Sequence, residues 1–266
     1  MPALAAGISP TAAHPTVPTF IGLDLAWSAD KESGICWLEG DSRESLRCTR
    51  LEAAVWDMNE LATEVAAANP AVVTIDAPVL YTDKRWVDAE IGRKHRFHRY
   101  KIAAHSAKAA VHQGNTAGID LGKALTAEGF DCNPQPLLRG EHPQQSAVEV
   151  YPHTLHVRLF NLCERILYKK GLVAQKRAGL QQYQRHLEAL IEDVAPGVLE
   201  FPDVKRALDP ETARNARGRS LKRLDDTLDG LTCALAAWLM WQEPECWEMI
   251  GDLNGYIVAP REGYPG

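Results

Sequence analysis

Three acidic stretches of the chain have residue types and spacing that could do chemistry. Asp24 closes the apolar run TFIGLD, Asp76 closes AVVTID, and Asp225, Asp226 and Asp229 lie in KRLDDTLDG, residues 222–230. A carboxylate at the end of an apolar strand needs a partner, because an isolated charge taken out of water is costly. Open α/β sheets place their sites at the carboxyl ends of strands, which is where Asp24 and Asp76 fall. Each also has a plain structural alternative, since a turn aspartate often bonds its local backbone. In the third stretch, Asp225 and Asp229 are four residues apart and Asp226 and Asp229 three apart, so each pair shares a helix face. Unpaired N–H groups and the helix dipole favour one acidic residue at the start, and Asp225 is the expected cap. Asp229 lies one turn deeper, ahead of the apolar GLTCALAAWLMW, and capping explains it poorly.

Asp24, Asp76, Asp226 and Asp229 together make a four-carboxylate set. Oxygen ligands of this kind suit hard divalent cations, Mg²⁺ or Mn²⁺, and not zinc. Two such ions held ~3.5–4 Å apart activate a water and stabilise a leaving oxygen in phosphodiester cleavage. Glu149, in VEVYP, is a further strand carboxylate, either solvated or accessory to the site.

The elements that must position these groups alternate in the manner of an α/β domain. TFIGLDLAWS, GICWLEGD and LRCTRL read as three strands forming an antiparallel meander. A helix is expected from Leu51 to Ala68, ended by Asn69-Pro70, and then a central strand in AVVTIDAPVL. Residues 81–145 read as an inserted segment, helical and basic at first and turn-rich afterwards. SAVEVYP is a short strand, followed by helices from about Thr154, from Leu172 to Val194 and from Leu224 to Trp241; DLNGYIVAP is a last strand. On the last helix Gly230, Cys233, Ala236 and Ala237 are small enough to let it approach a sheet closely. Residues 1–18 are expected to be a disordered tail and 19–266 a single domain.

Basic residues gather in two places. Lys84, Arg85, Arg93, Lys94, Arg96, Arg99, Lys101 and Lys108 mix with Trp86, Phe97 and Tyr100, and Arg214, Arg217, Arg219, Lys222 and Arg223 lead into the aspartates. Basic groups interleaved with aromatics can track a phosphate backbone and stack bases. Arg85, Arg93, Lys170, Arg219 and Arg223 are the expected phosphate contacts. The alternative is a solvated face paired with Asp83, Asp88 and Glu90.

Composition is that of a soluble globular protein, with 45% hydrophobic and 24% charged residues. A net charge of −6 excludes a general nucleic-acid coat but not a local basic groove. The six cysteines form no C-x-x-C pair and read as reduced thiols, not a zinc site or a disulfide framework. The N-terminus lacks the charged and apolar regions of a signal peptide, and no apolar run is long enough to span a bilayer. A cytoplasmic location is expected, with no membrane partner.

The motifs GLDLAW, VVTIDAP, VEVYP, LDDTLDGLTCALAAW and GYIVAP, in that order from about residue 20 to 260, resemble domain-of-unknown-function family 429. That resemblance implies a ribonuclease H-like fold and a predicted nuclease acting on DNA or RNA. The pattern is also similar to that of Holliday-junction resolvases, with an acidic residue on the first strand, another on the fourth and D-x-x-D on the last helix. By that likeness Asp24, Asp76, Asp226 and Asp229 would be the metal ligands, with Asp225 and Glu149 accessory. Asp76 stands where typical resolvases carry glutamate, and the inserted segment has no counterpart in a minimal fold. Two other readings compete. One is a non-catalytic ribonuclease H-like interaction module whose aspartates pair with Arg219 or Arg223. The other, a nucleotide-binding phosphotransferase, is disfavoured because no G-x-x-x-x-G-K-[ST] is present.

Overall fold

A computed structural model describes residues 17–26, 31–93, 96–141 and 145–264. The expected tail therefore lies, up to residue 16, outside the described residues. Five strands form the main sheet: β1 (Thr19–Asp24), β2 (Ser33–Glu39), β3 (Arg47–Ala54), β4 (Val72–Ile75) and β5 (Ser146–Glu149), in the order β3-β2-β1-β4-β5. β1, β2 and β3 pair antiparallel, whereas β4 and β5 run parallel to β1. This is a mixed antiparallel and parallel sheet flanked by helices, the arrangement expected from the sequence. Every residue of β1, β4 and β5 is buried, as expected for strands covered on both faces, and it explains their unbroken apolar runs.

The register fixes where the acidic residues emerge. Leu23 is level with Ile75 on β4, and Ile75 with Glu149 on β5. The Asp76 N–H donates to the Leu23 carbonyl at 2.8 Å, so Asp24 and Asp76 leave neighbouring parallel strands side by side. They do so beside the point where strand order turns back from β1, which is where open sheets form clefts.

The helices are α1 (Met58–Ala67), α2 (Val87–Arg93), α3 (Ala107–His112), α4 (Ala117–Ala127), α5 (Gln135–Leu138), α6 (Pro152–Leu159), α7 (Val173–Val194), α8 (Pro202–Leu208), α9 (Pro210–Asn215) and α10 (Arg219–Gln242). Four of them, α2 to α5, belong to the segment inserted between β4 and β5. The long α10 lies across β1, β2 and β4. Its approach is close enough that a Cβ on Gly34 would overlap the Asp226 carbonyl, and one on Gly22 would overlap the Gly230 carbonyl and the Ala234 backbone. The Thr74 hydroxyl donates to the Cys233 carbonyl at 2.6 Å, tying β4 to the same helix.

Three boundaries differ from the sequence expectation. Leu51–Ala54 continue β3, because Leu51 finds a cross-strand partner in Cys36, and pairing outweighs the helical preference of the alanines. The helix then starts at Met58, capped by Asp57, which accepts from the N–H groups of Asn59 and Glu60 at 2.9 and 3.2 Å. Next, α10 begins at Arg219 rather than Leu224, because the buried Leu221 continues the apolar spacing of Leu224 and Leu228 one turn earlier. Finally, the closing strand β7 (Gly255–Pro260) pairs with an unexpected β6 (Trp247–Asp252) in a separate hairpin. All six cysteines are free thiols, four of them buried. Among the described residues no helix is long and apolar enough to cross a membrane.

Candidate active site

The carboxyl ends of β1 and β4 open into a cleft of about 810 Å³, whose wall includes Asp24, Asp76, Asp225, Asp226, Lys169 and Lys222. The sheet supplies the first pair and α10 the second. Consecutive residues on a helix are separated by about 100°, so Asp225 and Asp226 reach the cleft from adjacent directions. Asp225 is the seventh residue of α10, whose cap is Gly218. The expectation that Asp225 caps the helix is therefore replaced: it is a buried side chain on the cleft wall.

Asp24 and Asp76 are neighbours at the ends of adjacent strands, and like charges so placed disfavour each other's ionisation. Burial raises Asp76 well above the usual carboxylate range, and the neighbouring Asp24 adds to the rise. Burial also raises Asp24, opposed by the charge of Lys169. Burial pushes Asp225 up to about 7 and Asp226 up to about 8, with Lys169 opposing the first and Asp24 reinforcing the second. Lys222 forms an ion pair with Asp226 and lies 3.6 Å from Asp225.

Asp229 is different. It is completely buried, does not line the cleft, and has both oxygens occupied. The Tyr168 hydroxyl lies 2.9 and 3.0 Å from them, the Tyr183 hydroxyl 3.0 Å from Oδ1, and Lys169 Nζ 2.7 Å from Oδ2. Burial works against its charge, but Lys169, together with His156 and His153, outweighs that and holds it below the usual range. Asp229, expected among the metal ligands, thus has both oxygens engaged by Tyr168, Tyr183 and Lys169 and anchors the lysine.

Among the described residues, no three His, Cys, Asp or Glu side chains are grouped so as to hold a metal ion as they stand. The chemistry of the donors nonetheless fits a hard cation. Asp24 Oδ2, Asp225 Oδ1 and Asp226 Oδ2 are buried without a hydrogen-bond partner. Buried acceptors are ordinarily satisfied, and a divalent ion takes such oxygens directly.

The family model described as "Protein of unknown function (DUF429)" matches residues 22–248. The chain belongs to that family. No curated protein matches the chain. Among solved structures, "Thermus thermophilus RuvC structure" matches with a TM-score of 0.31 and 9% identity, over 82% of this chain and 96% of that one. The account of this family member therefore rests on its own residues.

The remaining expected contacts fall in several places. Arg85, expected to face phosphate, is buried and bidentate to Glu149 at 2.6 and 2.9 Å, with Asp88 at 2.9 Å. That bridge settles Glu149 too: it is neither solvated nor unpaired, although burial pushes it up to about 7. Arg219 and Arg223 both pair with Glu32 and not with the aspartates. Lys170 is exposed at the cleft rim, and the side chain of Arg93 lies outside the described residues. Part of the first basic cluster is neutralised from a distance, Arg96 by Glu248, Arg99 by Glu262 and Lys101 by Glu164. Lys169 is not among the expected phosphate contacts, which include its neighbour Lys170. Its signal, a lysine following the buried Ile166 and Tyr168, acquires meaning only with Asp229 sixty residues away.

Proposed function

We propose that the protein is a metal-dependent nuclease that hydrolyses phosphodiester bonds of nucleic acid in the cleft between β1, β4 and α10. The observation that carries this reading is the set of three buried carboxylate oxygens, on Asp24, Asp225 and Asp226, that lack any hydrogen-bond partner on one cleft wall. Raised carboxyl groups gathered in a cleft mark functional sites more often than structural ones. Asp24, Asp76 and Asp226 would hold Mg²⁺ or Mn²⁺, with Asp225 beside them. When bound, the cation would polarise a phosphoryl oxygen and lower the pKa of a water.

The chain's own groups do the rest. The buried cleft wall limits water around the reacting phosphate, which strengthens every charge interaction there. Lys170 and Arg219 stand at the rim, where cations steer a polyanion in a salt-dependent way.

The test is a titration of the protein with Mn²⁺, together with incubation with single-stranded, duplex, hybrid and branched substrates. Mn²⁺-dependent cleavage that is lost in Asp24→Asn supports the reading. Absence of Mn²⁺ binding sinks it and leaves the interaction module, for which binding of nucleic acid without a cation is the expected result.

A further inference from the structure

Lys169 lies in the segment between α6 and α7, where Ile166 and Tyr168 are buried and Leu167 is exposed. This alternation turns Lys169 toward the acidic cleft, and its side chain is 30% exposed. The Tyr168 ring beneath it is locked by two hydrogen bonds to Asp229, and Tyr183 fixes Asp229 from the other side while also bonding Thr232 at 2.6 Å. The ammonium is thus held by a buried carboxylate that cannot rotate away. Asp24, Asp76 and Asp225 lie close enough that each feels its charge. Lys222 occupies the far side, on Asp225 and Asp226.

Five carboxylates, Asp24, Asp76, Asp225, Asp226 and Asp229, therefore stand near two ammonium groups, Lys169 held on Asp229 and the more exposed Lys222 on Asp225 and Asp226. Together those two carry the charge of one divalent ion. A carboxylate centre built for two metals has no reason to bury a lysine among its ligands, since like charges a few ångströms apart repel strongly at low dielectric.

Resting on the metal reading above, we propose that Lys169 is a resident cation of the centre, standing where a second metal would otherwise sit. The cleft accordingly takes a single divalent ion, on Asp24, Asp76 and Asp226. The Lys169 ammonium, whose remaining N–H bonds face the cleft, donates to a non-bridging oxygen of the bound phosphodiester. No covalent step passes through it.

The experiment is Mn²⁺ binding to the full chain, with stoichiometry from calorimetry and ion–ion coupling from electron paramagnetic resonance. The wild type is expected to bind one Mn²⁺ with an uncoupled spectrum. Lys169→Met is expected to bind two, with a spin-coupled signal, and Lys169→Arg to bind one. If Lys169→Met does not fold, Lys169→Gln keeps a hydrogen bond to Asp229 and should show the same second ion. Two ions in the wild type, or a single ion in the Met and Gln variants, overturn the assignment while leaving a metal nuclease intact. No Mn²⁺ in any variant overturns both.

Discussion

The hydroxyl of Tyr168 lies within 3.0 Å of both oxygens of Asp229. A carboxylate so enclosed, with Tyr183 and Lys169 completing its partners, is part of the protein's internal support. Asp229→Ala should therefore cost stability before it costs chemistry. Removing one member of a buried ion pair leaves the other uncompensated, and the expected loss is about 3 kcal/mol. Denaturant unfolding would read it directly; an unchanged midpoint would put Asp229 back among the open ligands.

Asp24→Asn and Asp76→Asn should behave in the opposite way. Each replaces a member of a carboxyl pair that burial already disfavours when charged. Folding stability should hold or rise, while Mn²⁺ affinity falls at least tenfold and cleavage about a hundredfold or more. Parallel thermal melts and Mn²⁺ titrations separate the two effects.

Stability should also depend on pH. Asp225 and Asp226 are pushed up to about 7 and 8 in the folded chain, while unfolded aspartate titrates near 3.9. Between those values the folded state binds more protons than the unfolded one, so the slope of stability against pH is negative. As far as these two groups are concerned, the metal-free protein should be most stable below about pH 4, losing stability as pH rises to about 8. Asp226→Asn should flatten part of that fall and raise the melting temperature at pH 8 by a few degrees, roughly 1–2 kcal/mol. Melting curves in chelator at pH 5, 6.5 and 8 give the comparison, and equal slopes in both proteins would contradict it.

Arg85→Met should destabilise the fold, not merely weaken substrate binding. It would strand Glu149 and Asp88, which the guanidinium now bridges at 2.6–2.9 Å. A loss of about 3 kcal/mol is expected, with Arg85→Lys recovering little because the bidentate fork is gone. A variant as stable as wild type but with a shallower salt dependence of nucleic-acid binding would restore the phosphate-contact role.

What could be read from the chain divides along physical lines. Asp24 and Asp76 were legible because period and composition mark a strand end locally, and the strand that carries each is a continuous apolar run. The start of α10 was harder to read, because Arg219 to Arg223 carries one apolar residue, Leu221, among four polar ones. That five-residue difference is what turned Asp225 from an expected cap into a cleft residue. Apart from Asp88, the partners of Arg85, Arg96, Arg99 and Lys101 lie 63 to 163 residues away, and no local pattern announces such pairings. Lys169 is the same case: its role exists only once Tyr168, Tyr183 and α10 are packed together.

The contact between Gly22, Gly34 and α10 has a consequence for how the chain comes to be folded. The β1–β2 meander is synthesised early, yet the surface that receives α10 stays uncovered until residue 242 has emerged. Closing that gap is a long-range event, so the fold should assemble slowly and late. Until then the apolar faces of β1 and β2 lie open, a state in which a nascent chain is prone to associate with its neighbours. The acidic cleft, drawn from both ends of the chain, cannot exist before that final docking, which keeps an unfinished chain from gathering the carboxylates that would bind a metal.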